Sequence, residues 1–354
     1  MNSDSGTKSE DIEKMIQNAP LSIVFPKPLP PNPTIGIIAP SSPAHLFFEE
    51  KYHFACNQLE QLGCKIIESK LIQQKSFQGY RTASAEARAR EFMDMVHNEA
   101  VDVIMPVIGG MCSSSLLPYL DYEAIRASRK IIVGYSDITA LHMGILAQAG
   151  LSTIYGPTLI PVFGEWPKSN SFAVQSFFSL ARKQKRTIIP PLEYSNESPD
   201  WKSDAWKKRG RIYTKNDGWH VLREGKAHGQ LLIANLNTLV PLLGTKYCPD
   251  FSERILLIEE MNAPLSNEER NLTSLKLHGV FSRIQALIVG KPEKLLLEGS
   301  LISYDEFLLE ALGSYSFPII SNFDCGHTSP MISFFELQDL SLTAENGVVT
   351  ITET

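Results

Sequence analysis

Short apolar runs alternate along the chain with longer stretches of helical spacing. Thr34-Ile-Gly-Ile-Ile-Ala39 is a β-branched run broken by Pro40-Ser-Ser-Pro43, and it predicts a first strand. A helix is expected over residues 47–62, stopped by Gly63, and Lys65-Ile-Ile-Glu-Ser69 predicts the next strand. Residues 84–98 read as a helix rich in Ala and Arg. Val101-Asp-Val-Ile-Met-Pro-Val-Ile108 then reads as a buried strand ending at Gly109-Gly110, and Ser113-Ser-Ser as the cap of a short helix over 116–120. Next, Lys130-Ile-Ile-Val-Gly134 turns into Ile138, Leu141, His142, Ile145, Leu146 and Ala149 at helical spacing, with Gly150 where the helix should stop. Strands and helices alternating at these lengths imply βαβ units and a mostly parallel sheet.

After about residue 180 the pattern changes. Residues 183–228 mix charges with three of the four tryptophans, Trp201, Trp206 and Trp219, and read as a linker with an aromatic surface excursion. A second α/β unit begins at Gly229. Residues 231–240 lead into Arg254-Ile-Leu-Leu-Ile-Glu-Glu260, and Ser266-Asn-Glu-Glu269 has the form of a capping box opening a helix to His278 before Gly279. Ile284-Gln-Ala-Leu-Ile-Val289 and Phe317-Pro-Ile-Ile-Ser-Asn-Phe-Asp324 predict two further strands, and Asn346-Gly347 a hairpin in the tail. The division expected is a polar arm over 1–26 (with a short helix at 10–17), an α/β domain over 27–182, the linker over 183–228 and an α/β domain over 229–354.

Composition adds mainly exclusions. The net charge of −6 with no long basic run argues against nucleic acid or an anionic membrane as partner, and no apolar stretch reaches spanning length. The first residues lack a signal-peptide core, so a cytoplasmic protein is expected. Five scattered cysteines (Cys56, Cys64, Cys112, Cys248 and Cys325) form no C-x-x-C pair, so neither a disulfide framework nor a metal site is indicated.

In α/β sheets, functional groups collect beyond the carboxyl ends of strands. Four such ends carry Gly109-Gly110, Ser136, Glu259-Glu260 and Gly326-His327, the parts of a Ser–His–Glu acyl-transfer site. Ser136 would be the nucleophile on a tight strand-to-helix turn, His327 its base and Glu259 the carboxylate that orients the imidazole. The N–H groups of Gly110 and Asp137 would form the oxyanion hole. Alternation puts Glu259 and Glu260 on opposite faces, so only one can serve. Cys112 and Ser113-Ser-Ser115 form a decoy nucleophile cluster better explained as a cap. Lys291 and Glu293 either touch substrate or cap a strand.

Several dispersed segments in order carry a more specific signal. They are Thr34-Ile-Gly-Ile-Ile-Ala-Pro-Ser-Ser-Pro43, Ile108-Gly-Gly110, Leu116-Leu-Pro-Tyr-Leu-Asp121, Gly134-Tyr-Ser-Asp-Ile-Thr139, Asn235-Leu-Asn-Thr238, Leu257-Ile-Glu259 and Gly326-His-Thr-Ser-Pro-Met331. With them the chain resembles the serine peptidase family of LD-carboxypeptidases and microcin C immunity proteins. The resemblance implies Ser136, Glu259 and His327 as the catalytic set. It also implies a flavodoxin-like or amidotransferase-like N-terminal domain, a smaller C-terminal α/β domain, a site in the cleft between them, and a homodimer. The LD-carboxypeptidase branch carries two arginines where this chain has Ile108 and Ser115, which favours the immunity branch. On that branch the substrate is an aminoacyl-nucleotide or small peptide, met by Asn235, Glu293 and an aromatic loop in which Trp201 or Trp206 stacks on a base. No cofactor or metal is called for. The alternatives are an LD-carboxypeptidase trimming murein peptides and a non-catalytic nucleotide- or peptide-binding module.

Overall fold

The computed structural model describes residues 21–74, 77–262, 264–313 and 315–354. The short helix expected at 10–17 lies outside them. In chain order the strands are β1 Thr34–Ile38, β2 Lys65–Glu68, β3 Val103–Pro106, β4 Ile131–Gly134, β5 Ile154–Tyr155, β6 Glu193–Tyr194, β7 Thr214–Lys215 and β8 His220–Arg223. The remainder are β9 Gly225–Asn235, β10 Arg254–Glu259, β11 Ala286–Gly290, β12 Ile319–Phe323, β13 Phe334–Phe335, β14 Asp339–Glu345 and β15 Val348–Glu353.

The first sheet runs β2-β1-β3-β4-β5 with parallel pairings, and β13 closes its edge antiparallel to β5. This 2-1-3-4-5 order is the flavodoxin-like one, in which ligands sit beyond the carboxyl strand ends. The second sheet runs β15-β14-β9-β10-β11-β12-β8, with β9 to β12 parallel and β8, β14 and β15 antiparallel. The fold class is therefore the expected α/β arrangement of two sheets. The tail hairpin forms at Asn346-Gly347, both residues at positive φ as a tight right-twisted turn requires.

Two features tie the sheets together. The C-terminal segment returns β13 to the first sheet, whereas β8, from the stretch read as a linker, joins the second. Between the sheets lies the helix Thr139–Ala149, whose side chains are buried nearly all round. Such a helix needs apolar partners on both sides. It packs in one core with Leu116 and Leu117 of the first unit and Leu236, Leu239 and Leu256 of the second. The turn that starts this helix is thereby fixed between the carboxyl ends of β4 and β10.

Two expected caps are not formed. Ser113 lies inside a 3-10 turn, Ser113–Tyr119, that has no side-chain cap from Cys112. The free N–H groups of Cys112 and Ser113 are bound instead by Asp137 Oδ2 (3.1 and 2.9 Å), from another loop. The helix Leu265–Leu277 starts after Pro264 without a capping box, and the N–H of Ser266 is taken by Glu298 Oε2 (2.8 Å). A capping box does form at Ser303 and Glu306, ahead of the helix Tyr304–Leu312.

Candidate active site

Ser136 follows β4 and opens the 3-10 turn Ser136–Ile138 that runs into the helix Thr139–Ala149. Its φ is +63°, a left-handed conformation that costs a non-glycine residue roughly 1–2 kcal/mol. Strain of this kind persists only where the surroundings enforce it. Gly109 leaves room for this turn to approach: a Cβ on it would lie 3.1 Å from Ser136 Oγ and 3.3 Å from Asp137 N. The next residue, Gly110, has φ +151° and rests on Ser41, whose hydroxyl accepts from the N–H groups of Met111 and Cys112 (both 3.1 Å). Neither the Gly110 nor the Asp137 N–H has a hydrogen-bond partner among the described residues. Both are left as unpaired donors in the two loops that meet where Gly109 touches Ser136.

Glu259 ends β10 and is 2% exposed. Its Oε2 accepts from His327 Nδ1 (2.6 Å), and its Oε1 accepts from the Tyr155 hydroxyl (2.6 Å) and Asn235 Nδ2 (3.2 Å). A carboxylate can only accept, so His327 carries its proton on Nδ1 and presents Nε2 as the basic nitrogen. Glu260, one residue past the end of β10, accepts from the same Asn235 Nδ2 (3.1 Å) and from the Asn237 N–H (2.8 Å), so the two carboxylates meet at one amide.

Burial disfavours a charged His327, but the Glu259 charge and hydrogen bond, reinforced by Glu293 and Glu260, more than offset it and raise its pKa above the ordinary 6.5. A general base acts only when neutral, so activity should fall as pH drops through the His327 value. The acid limb of kcat/KM is expected above pH 6.5, and a pH–rate profile checks it.

Gly326 makes the imidazole placement possible. Its φ is +141°, and a Cβ there would sit 2.8 Å from Glu259 Oε2 and 3.0 Å from Glu259 Cβ. Gly326→Ala should therefore displace the carboxylate. The expected loss is on the order of 100-fold in kcat with an unchanged circular dichroism spectrum.

The other residues singled out from sequence fall into two groups. Asn235 caps the turn Leu236–Leu239 and holds both glutamates, so its side chain is engaged within the protein and is 4% exposed. Lys291 is spent on a buried ion pair with Asp324 (2.6 Å). Trp206 is buried against Phe54 and Trp166 and anchors its loop. Trp201 is half-buried, edge-on to Phe48 at 5.4 Å, with the Lys51 ammonium over its ring at 5.2 Å from the centroid. Glu293 sits beyond β11, paired through its backbone with Met261, and its charge acts on both Tyr135 and His327. The loop bearing Trp201 reaches this region through Ser195, bridged to Ser329, and through Asn196, whose Oδ1 accepts from the Lys294 N–H (3.1 Å). Tyr155 was not legible as a site residue, because Ile154-Tyr155 reads as a scrap of apolar strand.

Family models describing the LD-carboxypeptidase N-terminal and C-terminal domains match residues 35–156 and 228–336. The chain belongs to the LD-carboxypeptidase family. This is a family of serine carboxypeptidases. The chain is 37% identical to the microcin C7 self-immunity protein MccF of Escherichia coli, across 96% of this chain and 98% of that one. It is 36% identical to a putative carboxypeptidase of Vibrio cholerae, across 88% and 92%. A solved structure of MccF in complex with aspartyl sulfamoyl adenosine superposes with a TM-score of 0.87 at 36% identity, covering 94% of this chain and 99% of that one.

Proposed function

We propose that this protein is a Ser–His–Glu hydrolase that cleaves the amide joining an acidic aminoacyl group to a nucleotide-like moiety, a detoxifying reaction of the self-immunity kind. The observation that carries the reading is the Glu259–His327 pair at 2.6 Å, linked through the Tyr155 hydroxyl to the backbone of a serine held in a strained turn. Ser136 Oγ attacks the carbonyl carbon while His327 Nε2 takes its proton. The N–H groups of Gly110 and Asp137 stabilise the oxyanion. The imidazolium, held by Glu259, returns the proton to the leaving nitrogen and the C–N bond breaks. Water then repeats the sequence on the acyl-enzyme, releasing the amino acid.

The choice of substrate rests on the likeness to the self-immunity protein over nearly the whole of both chains. It also rests on the chemistry at Ser115. That hydroxyl accepts from the buried Arg88 (3.0 Å), so this position offers no cation to a terminal peptide carboxylate. Trp201, half-buried where Trp206 is buried, is the side chain we assign to stacking on the base, and Glu293 the carboxylate facing the bound substrate. In this reading the nucleophile comes from the unit 27–182 and the acid and base from the unit 229–354, and the working form is a cytoplasmic homodimer. No helix among the described residues is long and apolar enough to cross a membrane.

The test offers purified protein aspartyl sulfamoyl adenosine beside a murein tetrapeptide and follows both by mass spectrometry. Release of sulfamoyl adenosine supports the reading. Loss of the terminal D-alanine alone would assign the protein to murein peptide trimming. Neither product would leave a binding module.

A further inference from the structure

The hydroxyl of Tyr155 joins the two halves of the site. It donates to Glu259 Oε1 at 2.6 Å and accepts from the backbone N–H of Ser136 at 3.3 Å. The tyrosine is fully buried on β5, the strand beside the one that delivers Ser136. Here the left-handed turn at Ser136 aims that N–H at the sheet, and the Tyr155 oxygen meets it. One hydroxyl therefore satisfies the strained turn of the first unit and fixes the carboxylate of the second. We propose that Tyr155 is a positioning residue, dispersing the Glu259 charge through Oε1 and tying that carboxylate to the backbone of the Ser136 turn.

The inference rests on the Ser136–His327–Glu259 reading and adds to it a residue that never touches substrate. The groups facing Tyr155 are Glu259, Cys325, Thr139 and His142. Those facing His327 are Glu259, Glu260, Glu293 and the ring of Tyr135. Of these, Glu259 alone faces both. Removing the Tyr155 hydroxyl leaves Asn235 Nδ2 on Oε1, so the carboxylate stays near the imidazole with its charge less dispersed. A more concentrated charge stabilises the imidazolium and moves the acid limb upward in pH.

The experiment measures labelling by a serine-directed fluorophosphonate against pH for wild type, Ser136→Ala and Tyr155→Phe. Tyr52→Phe serves as control. Tyr52 is also buried and donates to a carboxylate, Glu68 (2.5 Å), away from the site. The expected result for Tyr155→Phe is a maximal labelling rate about 10- to 100-fold lower at unchanged reagent affinity, with the acid limb displaced to higher pH. Tyr52→Phe should match wild type in both. A lower rate with an unmoved acid limb would mean that the hydroxyl only packs, and would overturn the proposal, as would a downward shift or wild-type behaviour. Failure of wild type itself to be labelled at Ser136 would instead overturn the underlying active-site reading.

Discussion

Ser136→Ala is expected to lower kcat by roughly 10⁴- to 10⁶-fold, the range seen when the nucleophile of a serine hydrolase is removed. The variant should fold at least as well as wild type, since alanine removes the hydroxyl without changing the backbone demand at φ +63°. What remains is catalysis by the Gly110 and Asp137 N–H groups and by substrate positioning. Substrate affinity should persist, so binding of aspartyl sulfamoyl adenosine by calorimetry separates loss of chemistry from loss of the site. An activity within 10-fold of wild type would transfer the nucleophile elsewhere, with Cys112 and Ser113-Ser-Ser115 the nearest candidates in sequence.

Glu259→Gln is the second large effect, about 10⁴-fold in kcat. The amide keeps the size of the side chain but offers His327 a donor as readily as an acceptor, so the proton can settle on Nε2, the wrong nitrogen. Loss of the charge also removes the main influence that raises the His327 pKa. The residual activity should therefore show its acid limb at lower pH than wild type, opposite in direction to the shift expected for Tyr155→Phe. Glu260 cannot substitute, because its carboxylate is turned to Asn235 and the Asn237 N–H. A pH–rate profile of the variant checks both the magnitude and the direction.

The candidate site was legible to the extent that its chemistry is local. A strand ending in Gly134 before Ser136, a carboxylate at the end of an apolar run and a glycine before His327 each leave a mark in a few consecutive residues. Alternation along β10 said only that one of Glu259 and Glu260 could face the site, and it did not show that both would meet at the Asn235 amide. What failed to show was interaction between distant segments. The Ser113-Ser-Ser115 cap is supplied by Asp137, and the apparent capping box at Ser266 is pre-empted by Glu298. Both are carboxylates brought in by tertiary structure to N–H groups near which local propensity expected a serine cap. Tyr155 was hidden for the same reason: its hydroxyl gains meaning only where β4, β5 and β10 converge. The exchange of β13 into the first sheet is likewise invisible in Phe334-Phe335, an apolar pair that either core would accept.

Capture of the acyl-enzyme decides whether Ser136 is the nucleophile. Wild-type protein is mixed with aspartyl sulfamoyl adenosine, quenched in acid within the first turnovers, digested and mapped by mass spectrometry. An aspartyl adduct is expected on the peptide containing Ser136, absent from Ser136→Ala. An adduct on Cys112 or on one of Ser113-Ser-Ser115, or product release with no adduct on any peptide, would contradict that assignment.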